Sequence, residues 1–168
     1  MYKIIFINNL YMRERKNNTI DVLLQELNKY KRGIREYLLK LFERSSNISS
    51  DLEYLINYLQ FDDINPEDLN KVSADEAKNW IIESLIGKHR GWKNDVMDET
   101  KANYFWNPFI NLFDNPSVFF SNQIYDDMNK KLDDAWITLY DCDKFIYSNG
   151  ILVFDKNQFG IFCIQESD

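Results

Sequence analysis

Apolar residues recur at helical spacing in the first quarter of the chain. Ile20, Leu23, Leu27, Tyr30, Ile34, Tyr37 and Leu41 stand three or four positions apart. That period predicts one long amphipathic helix, with Thr19 as its N-cap. Gly33 falls inside it, where a glycine costs roughly 1 kcal/mol relative to alanine. Before this helix, residues 2–8 are β-branched and aromatic and read as a short strand.

Helix starts punctuate the middle of the chain. Ser50 with Glu53 forms a capping box ahead of Leu52, Leu55, Ile56 and Leu59. Asn65-Pro66-Glu67-Asp68 places a cap, an N1 proline and two first-turn acids in order. Ser73 with Glu76 opens a third helix, carrying Ala77, Trp80, Ile81 and Leu85 and stopping near Gly87 or Gly91. Residues 92–115 are densely aromatic without a clean period. Asn107-Pro108 and Asn115-Pro116 each read as a further start, the second opening a helix over 116–134.

The pattern then changes from helical to alternating. Residues 144–148, 150–155 and 159–165 are short β-rich runs. Asn149-Gly150 and the polar stretch 155–158 separate them, and Asn-Gly is a strong hairpin signal. A three-stranded antiparallel meander follows, which the strand at 2–8 is positioned to join. The predicted class is α+β, a helical middle packed on a small antiparallel sheet. No repeat or Pro/Gly/Ser-rich linker divides the chain, so residues 1–168 read as a single domain.

Composition adds a core and a compartment. Aromatics make up 15% of the chain, enough large side chains to fill a substantial interior. Two cysteines, Cys142 and Cys163, are too few for a disulfide framework and fit a reducing cytoplasm. No secretory signal and no apolar run of bilayer length is read in the sequence.

Charge changes the picture most. Residues 1–44 hold ten Lys/Arg against five Asp/Glu, net +5, and residues 45–168 hold ten against twenty-two, net −12. Lys29, Lys31, Arg32, Arg35 and Lys40 fall on the polar side of the predicted long helix. A pI near 4.8 argues against phosphate binding there. Those cations are expected to face the body's own anions or solvent. Acids crowd the last 43 residues: Asp126, Asp127, Asp133, Asp134, Asp141, Asp143, Asp155, Glu166 and Asp168. An earlier group is Asp62, Asp63, Glu67 and Asp68.

Catalytic signals are thin. The single histidine, His89, sits among Lys88, Arg90 and Trp92, where neighbouring cations oppose its protonation. One histidine leaves little for a histidine-rich metal site or a complete hydrolase triad. Asp141 and Asp143 flank Cys142 and would lie on one side of an extended segment, within reach of a shared divalent cation. They equally suit a turn before a strand. Glu76-Ala77-Lys78 matches a nuclease-like E-x-K, but in a capped helix rather than a strand. No nucleotide-cradling glycine loop or nucleophile elbow occurs.

The expectation is a non-enzymatic intracellular protein-binding module needing no cofactor and no metal. Its partner surface is placed at Asp126, Asp127, Asp133 and Asp134, with Asp62, Asp63, Glu67 and Asp68 as the second cluster. A bacterial immunity protein that occludes a basic toxin suits this size and charge. One alternative is a phage or mobile-element inhibitor that carries nucleic-acid-like charge. The other is an enzyme with a carboxylate–metal site at Asp141 and Asp143. No membrane or nucleic-acid partner is expected.

Overall fold

The computed structural model describes residues 14–30, 33–59, 65–87, 95–122, 125–126, 131–132 and 147–167. Its class is α+β: the described residues form four α-helices, a five-stranded antiparallel sheet and a separate two-stranded pair. The expected strand at 2–8 and residues 144–146 of the expected run 144–148 lie outside the described residues, while 147–148 open the strand Tyr147–Phe154.

The long helix of the sequence pattern is two elements. Helix α1 spans Asn18–Leu27, and Asn17 caps it by accepting from the Thr19 and Ile20 amides. Strand β1 follows at Ile34–Glu43. Gly33 lies between them at φ 62°, a left-handed conformation that favours glycine and cannot continue a helix. The pattern misled because β1 is apolar on both faces. Leu39 and Leu41 point to one side and Leu38 and Phe42 to the other, so residues at helical spacing were available by chance.

Helix α2 spans Ile48–Tyr58 and begins one turn before the expected box. Its cap is Asn47, whose side chain accepts from the Ser49 amide at 2.8 Å. Asn65-Pro66 opens a turn of 3-10 helix, Pro66–Asp68, with the Asp68 carboxylate accepting from the Asn65 amide. Strand β2 is Asn70–Val72 and helix α3 is Ala74–Ile86. Both bonds of the Ser73–Glu76 box are present, and Gly87 at φ 88° ends α3 where the sequence placed its stop.

Helix α4 spans Glu99–Ile110, capped by Asp98. Pro108 sits inside its last turn rather than at a start. The described residues of the expected helix over 116–134 do not form one either: strand β3 occupies Val118–Ser121. Two-residue strands β4 (Tyr125–Asp126) and β5 (Lys131–Leu132) pair with each other beyond it. Val118-Phe119-Phe120 alternates between two buried faces, a period-two pattern that overrides the Asn-Pro signal.

Strands β6 (Tyr147–Phe154) and β7 (Gln158–Ser167) form the central hairpin. The turn over 155–157 is as expected. Asn149-Gly150 is instead interior to β6, opposite Ile164 and Cys163. Across the sheet the order is β1-β7-β6-β3-β2.

Helices cover both faces of this sheet. Leu39, Leu41, Phe119, Ile151, Val153, Phe162 and Ile164 pack with α1, α3 and α4. Phe42, Leu152, Phe154, Phe159, Ile161 and Cys163 pack with Leu52, Leu55 and Ile56 of α2. A strand buried on both faces needs no alternation, which is why β7 is apolar along most of its length. At Gly160 the packing leaves no room for a side chain. A Cβ there would lie 2.7 Å from Phe113 Cζ, 2.8 Å from Leu41 Cδ2 and 3.0 Å from the Lys40 carbonyl. Gly160→Ala is therefore expected to lower stability by about 1–3 kcal/mol, the usual cost of overpacking. Urea unfolding measures this, and an unchanged midpoint would show that the layers are not so closely set.

Candidate functional site

Three polar clusters are built into the described structure, and each has its own chemistry. The deepest centres on Arg35, which is 1% exposed. Register places Arg35 of β1 opposite Glu166 of β7, and their side chains form an ion pair at 2.6 Å. The same guanidinium donates from Nη2 to the Ser84 and Leu85 carbonyls, at 2.7 and 3.1 Å. Those carbonyls belong to the last turn of α3, where the helix dipole is negative. One cation thus neutralises a carboxylate and bonds a helix end. It also lies 5.3 Å from the Tyr37 ring centre.

Tyr37 answers to this environment. Its hydroxyl donates to the Tyr30 carbonyl at 2.5 Å. Burial pushes its phenol up to about 12; the nearby Arg35 cation opposes the rise and Glu166 adds to it.

A second cluster gathers at the β6–β7 turn around Asp155, which is 2% exposed. Its Oδ1 accepts from the Asn157 and Gln158 amides, and its Oδ2 from the Asp114 amide at 2.8 Å. Arg44 donates to the Asp155 carbonyl at 2.7 Å and, from Nε, to buried Asp51 at 3.3 Å. Asp51 in turn accepts from the Ser45 amide. These carboxylates shape turns and join the hairpin to α2.

The third cluster is at the surface, over the outer part of β1. Lys40 contacts Glu14 at 2.8 Å and the Tyr58 hydroxyl at 3.3 Å, while Tyr58 donates to the other Glu14 oxygen. Tyr54 stacks on Tyr58, and Phe42 lies edge-on to both rings. Partial burial raises the Glu14 pKa, but the Lys40 and Tyr58 hydrogen bonds outweigh it and hold the carboxyl below its usual range. For Lys40, burial works downward and is outweighed by Glu14 and Tyr58, so its pKa is raised.

The acids singled out in the sequence divide among several fates. Glu67 is exposed, and Asp68 is half-buried at the cap of the 3-10 turn. Asp126 belongs to β4. Asp62, Asp63, Asp127, Asp133, Asp134, Asp141, Asp143, Asp168 and His89 lie outside the described residues. Asp155 and Glu166 are not surface acids. Both are buried in the bonds just given, so they leave the acidic surface that the sequence suggested.

Of the basic stretch, Lys31 and Arg32 lie outside the described residues, and the other three cations are dispersed. Lys29 pairs with Glu26 just beyond α1, Arg35 with Glu166 in the core, and Lys40 with Glu14 at the surface. Those three cations face the protein's own anions, as expected, although they share no helix. Lys101 adds a fourth solution, with its ammonium 4.3 Å from the Tyr104 ring centre and 5.3 Å from that of Tyr30. Among the described residues, no group of three or more His, Cys, Asp or Glu is placed to hold a metal ion. Nor is any helix there long and apolar enough to cross a membrane.

Comparison with protein-family models, with curated proteins and with solved structures finds no match to this chain.

Tyr37 provides a direct check on the Arg35 site. A raised phenol pKa means that the folded state holds its proton more tightly. The resulting stability is present below the ordinary value of 10.0 and is lost as pH rises from there towards about 12. Burial also raises Tyr54, so phenolate absorbance should show late titration whose step near pH 12 is lost in Tyr37→Phe. A Tyr37→Phe titration that retains that step would place the buried phenol elsewhere.

Proposed function

We propose that this chain is a non-enzymatic protein-binding module whose acidic surface docks a basic protein. The observation that carries this reading is the net charge of −7 together with the acids exposed on several elements. Lys29, Arg35, Lys40 and Arg44 each pair with an acid of this chain, and Lys101 lies against aromatic rings. Ion pairing removes cations and acids in equal number, so the net −7 is left to the remaining groups. Glu53, Glu67, Asp75, Asp95 and Glu99 are exposed, on α2, the 3-10 turn and the starts of α3 and α4. Such a surface attracts a basic partner over distance and disfavours acidic ones.

In the immunity-protein form of this proposal, the partner is a toxin with a cationic, nucleic-acid-binding cleft. Occlusion of that cleft is the mechanism, and it requires no catalytic group on this chain. Asp126, Asp127, Asp133 and Asp134 are the first candidates for the contact, and Asp62, Asp63, Glu67 and Asp68 the second.

The test is the association rate with the basic protein that co-purifies with this chain in stoichiometric amount. Screening shortens from about 10 Å at 0.1 M salt to about 3 Å at 1 M. The on-rate should fall by roughly tenfold or more across that range, while dissociation changes less. Reversing Asp126, Asp127, Asp133 and Asp134 to Lys should lower the low-salt on-rate similarly. An on-rate insensitive to salt would contradict acidic steering altogether. A salt-sensitive rate unchanged by the four reversals would move the contact to the second cluster.

A further inference from the structure

The buried guanidinium of Arg35 has one nitrogen left over. Arginine carries its N–H donors in a rigid planar fork. Nη1 meets the Glu166 carboxylate, and Nη2 donates to the Ser84 and Leu85 carbonyls. Nε has no hydrogen-bond partner among the described residues, although Arg35 is 1% exposed. A buried donor left without an acceptor is costly.

Ser84 makes the same demand from the helix side. It is 3% exposed, and its hydroxyl has no partner among the described residues. A helical serine commonly turns its hydroxyl back to the carbonyl one turn earlier. Ser84 does not make that bond.

The two groups are neighbours. The Nε–H lies on the same edge of the guanidinium as Nη2, so both face the last turn of α3. Nη2 reaches Ser84 at its carbonyl, 2.7 Å away, and the unpaired hydroxyl belongs to that same residue. The carbonyl oxygen has a second lone pair. The junction therefore offers Nε–H, a hydroxyl and a carbonyl lone pair, which is the set of two to four polar partners that a buried water takes.

Charge decides between water and an ion. Glu166 already balances Arg35, and the end of α3 is the negative end of the helix dipole. An anion would be repelled by both. A neutral acceptor meets neither repulsion, and water is the smallest one.

We propose that the junction of Arg35 and Ser84 is an internal hydration site that holds one ordered water. The water accepts from Arg35 Nε and from the Ser84 hydroxyl, and it donates to the Ser84 carbonyl. It completes the bonding of the buried cation and joins β1 to the end of α3 by a second path.

A high-resolution crystal structure of the full chain tests this. Water density should lie within hydrogen-bond distance of both Arg35 Nε and Ser84 Oγ. Crystals grown with bromide in place of chloride identify an anion by its anomalous signal. Bromide at this position overturns the proposal, as does a protein acceptor on Nε or empty density between the two groups. In solution, the Arg35 Nε proton should show a rotating-frame Overhauser cross-peak to water. Ser84→Ala removes relay through an exchanging hydroxyl, and the cross-peak should persist because Nε and the carbonyl remain. Its loss in Ser84→Ala would mean that the hydroxyl alone carried the signal, and the hydration site would be abandoned.

Discussion

The buried guanidinium of Arg35 is the constraint on which the layers depend. It is fixed by β1, neutralised by Glu166 of β7 and bonded to the final carbonyls of α3. Removing a cation from water is costly, and the cost is recovered only when its donors are met. Here two separate demands converge on one group. Strand β7 contributes a carboxylate, and the helix end contributes carbonyls that have no further turn to bond them. Any sliding of α3 along the sheet, or of β1 along β7, would separate the charge from one of its partners. The pair therefore fixes register as well as position.

The remaining order follows from that alignment. With β1 held against β7, Leu39 and Leu41 meet α1, α3 and α4, while Phe42 meets α2. Phe42 stacks on Phe159, and Phe159 on Phe154, a row of rings crossing three strands. At the other end of the β6–β7 hairpin, Asp155 ties the turn to Asp114 and, through Arg44, to Asp51 in the first turn of α2. Polar hubs thus close both ends of an apolar sandwich. The same use of charge bears on function. The ion pairs in these hubs take in as many acids as cations, so the net −7 stays with the remaining groups.

Local signals were readable where a motif is self-contained. Ser73 with Glu76 and the Gly87 stop define α3 by bonds within a few residues, and the turn at Asp155 is likewise local. The signals failed where burial on two faces erases periodicity. Strand β1 carries Leu38, Leu39, Leu41 and Phe42 in five positions, which fits a helix period and a two-sided strand alike. Gly33, at a left-handed φ, was the one clue that the helix could not run through. Pro108 misled for a different reason: a proline in the last turn removes a single donor and is tolerated there. The candidate site was less readable than the fold. Asp155 and Glu166 look like surface acids in a list of charges, and only long-range strand pairing shows them to be interior. Arg35 gave no sign either, since its partners are 131 and about 50 residues away along the chain.

A double-mutant cycle on Arg35 and Glu166 bears most directly on this account. Arg35→Met and Glu166→Leu each leave a buried charge without its partner. Each is expected to cost about 3–5 kcal/mol in urea unfolding. The double variant removes both charges together and should cost clearly less than the sum, with a coupling of about 2 kcal/mol or more. Strictly additive losses would contradict the account, because they would mean that the two groups stabilise the fold independently.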